Sequence, residues 1–241
     1  ATIAYTLLLY IKLIFVPHPL THDYYPYHIP VLEIISIEGI ICIVAILSLI
    51  GYAIYGIFKK QFASYIIWFY LASIFMMSNL LFNVGTFMNE RFMFMGSLIL
   101  PILLIWLWQY VYIKKITALK YIFIIVLVVM ISGFSYKSYD RVPAWENTES
   151  LNRTAVSVSK NSARANCFMG VWLYEEMLKT DDNESKQRLI DEAKIYIDKS
   201  LSIYPEYKDA LTMKAGIATQ TYKIDSNAKN LLEEFYEILE V

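Results

Sequence analysis

ISIEGIICIVAILSLIGYAIYGIFKK, residues 35–60, decides what kind of chain this is. Between Ile35 and Ile57 it carries one charged side chain, Glu38, and it closes on Lys59 and Lys60. A helix needs about 20 mostly apolar residues to cross a bilayer, and this stretch supplies them. Working outward, three further segments reach or approach the same length: 64–82, 93–113 and 120–136, the last able to run on to Tyr139. Upstream, Ile3, Leu7, Leu8, Ile11, Ile14 and Phe15 recur at helical spacing around Lys12. Segment 1–16 therefore reads as the end of a span begun before Ala1, rather than as a helix lying in the interface.

The charges divide the chain in two. Residues 1–139 hold 8 Lys/Arg and 4 Asp/Glu, whereas residues 140–241 hold 13 and 18. With 57% hydrophobic residues and a mean hydropathy of +0.44, the whole is too apolar for an ordinary soluble domain. The expected fold is all-α: a polytopic membrane helix bundle over 1–139, then a soluble helical domain over 140–241. No basic surplus points to nucleic acid. Cys42 and Cys167 fall in different halves, so no disulfide is expected, and neither has metal-type spacing.

Orientation follows from the short loops. Lys59 and Lys60, and then Lys114, Lys115 and Lys120, are cytoplasmic by the positive-inside rule. The loops 17–33 and Asn83–Arg91 then face outward. Four crossings separate loop 17–33 from the soluble half, which puts both on the outer side.

In the soluble half, DEAKIYIDKSLSIYPEYKDALTMKAGI reads as helix, turn, helix. Ala193, Tyr196, Leu201 and Pro205 stand where a tetratricopeptide repeat places small, aromatic, apolar and helix-ending residues. NSARANCFMGVWLYEEML, 161–178, is an earlier copy. Asn161 and Glu206 hold similar places at a spacing wider than the usual period of about 34 residues. The polar insertion KTDDNESKQR, 179–188, accounts for the excess. Such helices bind peptides or partner domains. Asn147 or Thr148 is expected to cap the first of them.

Two outer segments carry candidate chemistry. PHPLTHDYYPYHIP, 17–30, holds all three histidines and four of the seven prolines. The spacing of His18 and His22, followed by Asp23, resembles a helical metal site. Pro17 and Pro19 disfavour that helix, and no metal is assigned. The remaining readings are imidazoles hydrogen-bonded into loop packing, or a site for substrate or lipid phosphate. Tyr24, Tyr25 and Tyr27 fit an aromatic belt. The second segment is Asn89–Glu90–Arg91. Arg91 is the sole arginine of 1–139, on the face expected to be poorest in positive charge. Such a departure points to function, and a guanidinium suits bidentate phosphate binding. No carboxylate stands out as a general base.

FVPHPLTHDYYPYHIP, FNVGTFMNERFMFMGSL and AWENTESLNRTAVSVSKNSARAN, in this order and approximate spacing, resemble the C-terminal part of the transmembrane and tetratricopeptide-repeat proteins. These are polytopic C-type glycosyltransferases. The resemblance implies transfer of a sugar, mannose in the animal members, from a polyprenyl-phosphate donor to Ser/Thr hydroxyls of exported proteins. It also implies that the repeats engage the acceptor protein or peptide. His18, His22, Asp23, Tyr24, Glu90 and Arg91 carry over as the lipid-donor side of the site. The family's acidic catalytic motif lies in the first outer loop, upstream of these residues, and Gly96 replaces a frequent Pro. The Ile, Lys and Tyr content suggests a bacterial member, set in the inner membrane with its C-terminal domain in the periplasm. The rival expectation is a non-catalytic, membrane-anchored repeat scaffold for an envelope complex.

Overall fold

The computed structural model describes residues 1–81, 85–86, 88–115 and 117–239. Phe82 of the expected span 64–82, and Asn83, Val84 and Phe87 of the expected outer loop, lie outside the described residues. Among the described residues every regular element is helical. Three helical runs, Ile37–Phe58, Glu90–Ile113 and Thr117–Trp145, are long and apolar enough to cross a membrane, so the chain reads as a membrane protein. It divides into two compact units. One comprises Ala1–Leu20 with Pro30–Pro143, the other Thr21–Ile29 with the chain from Ala144 onward.

In the membrane unit, α1 (Thr2–Phe15), α2 (Ile37–Phe58) and α3 (Phe62–Phe75) pack in sequence order. Ser36 starts α2: its Oγ accepts the Gly39 amide at 3.0 Å. Lys60, at φ 53°, ends the α2–α3 turn in the left-handed region. The two helices approach through small residues. Ser64 is fully buried and its hydroxyl donates to the Ala53 carbonyl. A Cβ on Gly56 would sit 2.7 Å from that of Ser64, so the close crossing requires glycine. Tyr70 of α3 ties this pair to α1 by donating to the Leu7 carbonyl at 2.6 Å.

Two spans differ from their sequence reading. The segment 64–82 is helical only as Phe62–Phe75, 14 residues; turns follow at Met76–Met77 and Asn79 adopts φ 57°, within a still apolar run. The segment 93–113 is interrupted. A 3-10 turn, Glu90–Phe92, leads into α4 (Met93–Gly96), and α5 (Ile99–Ile113) follows after a break at Ser97–Leu98. Pro101 is the cause. It has no N–H for the Ser97 carbonyl, which instead accepts from Leu100 at 3.0 Å. The last span is longer than 120–136. It forms α6 (Thr117–Arg141), none of whose side chains is buried.

The helical unit contains α7 (Thr148–Val158), α8 (Ala163–Lys179), α9 (Asn183–Ile203), α10 (Lys208–Asp225) and α11 (Ala228–Leu239), each packed on the next. Asn147 caps α7 in a capping box with Ser150. The polar stretch 179–188 lengthens a helix rather than a loop: Asp182 caps α9 by accepting the Ser185 amide at 2.8 Å. The core gathers Cys167, Met169, Leu173, Met177, Ile190, Ala193, Ile197 and Ile217. Gly170 lets α9 approach α8, since a Cβ there would lie 2.7 Å from Ile197. Burial pushes the Cys167 thiol up to about 12, which leaves it protonated and unreactive.

Candidate functional site

Arg91 stands in the 3-10 turn that opens the run into α4 and α5. Asn89 caps that turn, and its Oδ1 does two jobs. It accepts the Arg91 backbone N–H at 3.0 Å and the Arg91 Nε–H at 3.2 Å. The guanidinium is thereby held by one edge while the side chain stays exposed. Asn89 is itself buried. Its amide donates to the Tyr10 hydroxyl at 2.9 Å, and that hydroxyl donates back to the Asn89 carbonyl at 3.3 Å. Tyr10, on α1, is 1% exposed. Among the described residues no carboxylate comes within ion-pair distance of Arg91. The result is a fixed, exposed cation at the head of an apolar helical run. A guanidinium in that state can take an anion's oxygens through its outer nitrogens. Glu90 is half-buried beside it in the chain. His18, exposed and non-helical between Pro17 and Pro19, belongs to the same unit.

His22, Asp23 and Tyr24 are placed differently. Thr21–Ile29 forms a strap that belongs to the helical unit. The α7–α8 turn grips its backbone. Ser159 Oγ donates to the Asp23 carbonyl at 2.8 Å, and Ser162 Oγ to the Tyr25 carbonyl at 2.5 Å. The Arg164 amide donates to that same Tyr25 carbonyl at 3.2 Å. The Asp23 side chain is buried. Its Oδ1 accepts the Tyr25 amide at 2.8 Å, and its Oδ2 lies 3.5 Å from Arg164 Nε. The Arg164 guanidinium also covers the Tyr25 ring at 4.3 Å. Tyr25 and Tyr27 then pack on Tyr204 and Tyr207 in the α9–α10 turn, with ring centroids 6.2–6.4 Å apart. His22 stacks parallel to Phe168 at 6.3 Å. Tyr24 is buried against His28, whose imidazole pKa is lowered by burial. Burial, with Cys167 nearby, drives the Tyr207 phenol well above the usual tyrosine range, against the opposing pull of Arg164.

The six candidate residues are shared between the two units. His18, Glu90 and Arg91 sit in the membrane unit, and His22, Asp23 and Tyr24 in the strap of the helical unit. In the strap His22 and His28 make ring contacts, with Phe168 and Tyr24. Among the described residues no group of three or more His, Cys, Asp or Glu side chains gathers to hold a metal ion. Two contributors carry no signal in sequence spacing. Tyr10 meets Asn89 across 79 residues, and Arg164 meets Asp23 across about 140 positions. Comparison of the chain with family models, with curated proteins and with solved structures finds no match.

Proposed function

We propose that this chain is part of a membrane glycosyltransferase of the transmembrane and tetratricopeptide-repeat type. It would transfer a sugar from a polyprenyl-phosphate donor to hydroxyls of exported proteins. The observation that carries the reading is Arg91: an exposed guanidinium, held along one edge by Asn89, beginning an apolar run long enough to enter the bilayer. A lipid phosphate floats at that depth, with its tail among the spans. When the sugar leaves, charge builds on the phosphate oxygens, and a donor fixed in advance lowers the barrier without reorganising. The acceptor hydroxyl would lose its proton to a carboxylate of the acidic outer-loop motif that the family carries. Asp23 is an unsuitable base, because Tyr25 and Arg164 already occupy it. We assign α8, α9 and α10 to a tetratricopeptide-like array engaging the acceptor, supported by Ala193 in the core and Pro205 in the α9–α10 turn. The same proposal sets the protein in a bacterial inner membrane with these helices in the periplasm.

One observation favours the rival scaffold reading. Asp23 and His22 are built into the helical unit as packing. Arg91→Ala in the full-length protein separates the two. Intact mass spectra of exported proteins from a strain carrying the variant should lose their hexose additions, by at least tenfold in occupancy. Unchanged glycoforms in that strain would leave the scaffold standing.

A further inference from the structure

We infer that Tyr10 and Asn89 are positioning residues for an anion site at Arg91, a role resting on the donor-phosphate reading above. A free arginine side chain samples many rotamers, and ordering it on binding costs affinity. Here the ordering is done beforehand. Asn89 Oδ1 holds Nε at 3.2 Å, and on this exposed side chain that leaves the two outer nitrogens of the fork to meet an anion. Asn89 could not hold that pose from a mobile loop. Its backbone is clamped from both sides, N–H and C=O, by a single tyrosine hydroxyl at 2.9 and 3.3 Å. That hydroxyl is among the most buried polar groups of the membrane unit and comes from another helix, α1. The chain of contacts runs α1, Tyr10, Asn89, Arg91, and ends at an exposed cation.

The ligand this arrangement fits is a monoester phosphate on an isoprenoid chain. Farnesyl phosphate is the probe and farnesol its uncharged control, both measured by equilibrium dialysis against the purified 241-residue chain in detergent. Wild type should bind the phosphate at least tenfold better than the alcohol, and Arg91→Ala should erase the difference. Tyr10→Phe and Asn89→Ala should each weaken phosphate binding about five- to tenfold, with farnesol binding unchanged. In the Arg91→Ala background neither should weaken it further, since both act through the guanidinium. If Tyr10→Phe and Asn89→Ala bind like wild type while Arg91→Ala has lost the phosphate, the positioning role is overturned and the donor reading survives. Equal losses of phosphate and farnesol would also overturn it, marking the clamp as ordinary packing. If wild type itself fails to prefer the phosphate, the reading of Arg91 falls, and the positioning role with it.

Discussion

Asp23 is the residue on which the strap turns. One carboxylate oxygen closes a turn onto the Tyr25 amide at 2.8 Å, and the other faces Arg164 at 3.5 Å. A buried carboxylate is tolerated only with such partners. Removing it leaves the Tyr25 N–H and the Arg164 guanidinium less satisfied together. Hydrogen bonds to charged groups contribute about 1.5–3 kcal/mol each, and Arg164 retains some solvent, so Asp23→Ala should cost about 2 kcal/mol. Urea unfolding of the helical unit would measure this. A shift under about 0.5 kcal/mol would show that the carboxylate is incidental to the strap. The contrast with Arg91 explains what the sequence could disclose. Arg91 and Asn89 are two positions apart, so their pairing is local and the odd cation is conspicuous in a row of apolar letters. Asp23 looks equally conspicuous, but its partner stands some 140 positions away, and no spacing rule reaches that far.

Helices obey the same division between local and distant causes. The ends of α2 were legible because Ser36 and Lys59–Lys60 mark them in the letters. The break before α5 has an equally local cause in Pro101. The end of α3 did not show, because Met76, Met77, Leu80 and Leu81 prolong the hydropathy past Phe75 while the backbone leaves the helix. This short helix matters to topology. The strap hydrogen-bonds to the α7–α8 turn and to Arg164 of α8, so these should share a compartment, and an even number of crossings is expected between residues 30 and 143. Three runs of spanning length make an odd count. At about 1.5 Å per residue α3 extends roughly 21 Å, against a hydrocarbon core of about 30 Å. An even count predicts that α3 completes a fourth crossing, with the bilayer thinned around it or the residues after Phe75 entering the polar layer. Cysteines placed at Lys60 and at the exposed Leu81, with Cys42 and Cys167 changed to Ala, should react with an impermeant thiol reagent from opposite sides. Labelling of both from one side would refute a crossing by α3.

For the molecule as a whole, a division by charge at residue 139 carries no sign that the two compact units exchange a segment. Nine residues, Thr21–Ile29, leave the membrane stretch of the sequence to complete the helical unit. The core of α8, α9 and α10 is built from C-terminal residues alone apart from Tyr25, which packs at its edge. A fragment of residues 144–241 should therefore fold without the strap, yet leave the Tyr204–Tyr207 pair and the α7–α8 turn open to water. The strap adds three backbone-directed hydrogen bonds, the Asp23–Arg164 pair and the tyrosine cluster. Allowing for the entropy of ordering it, a net contribution of about 2 kcal/mol is reasonable. For a domain of this size that is a thermal midpoint lower by roughly 8–16 °C. A version with residues 21–29 joined to the N-terminus of the fragment by a flexible linker should recover most of the loss, and the same fusion carrying Asp23→Ala should not. Circular dichroism melts of the three proteins measure the differences directly. Equal midpoints for the fragment with and without the strap would mean that the nine residues rest on the helices without stabilising them, and that the shared compartment, with the parity it imposes on α3, has lost its support.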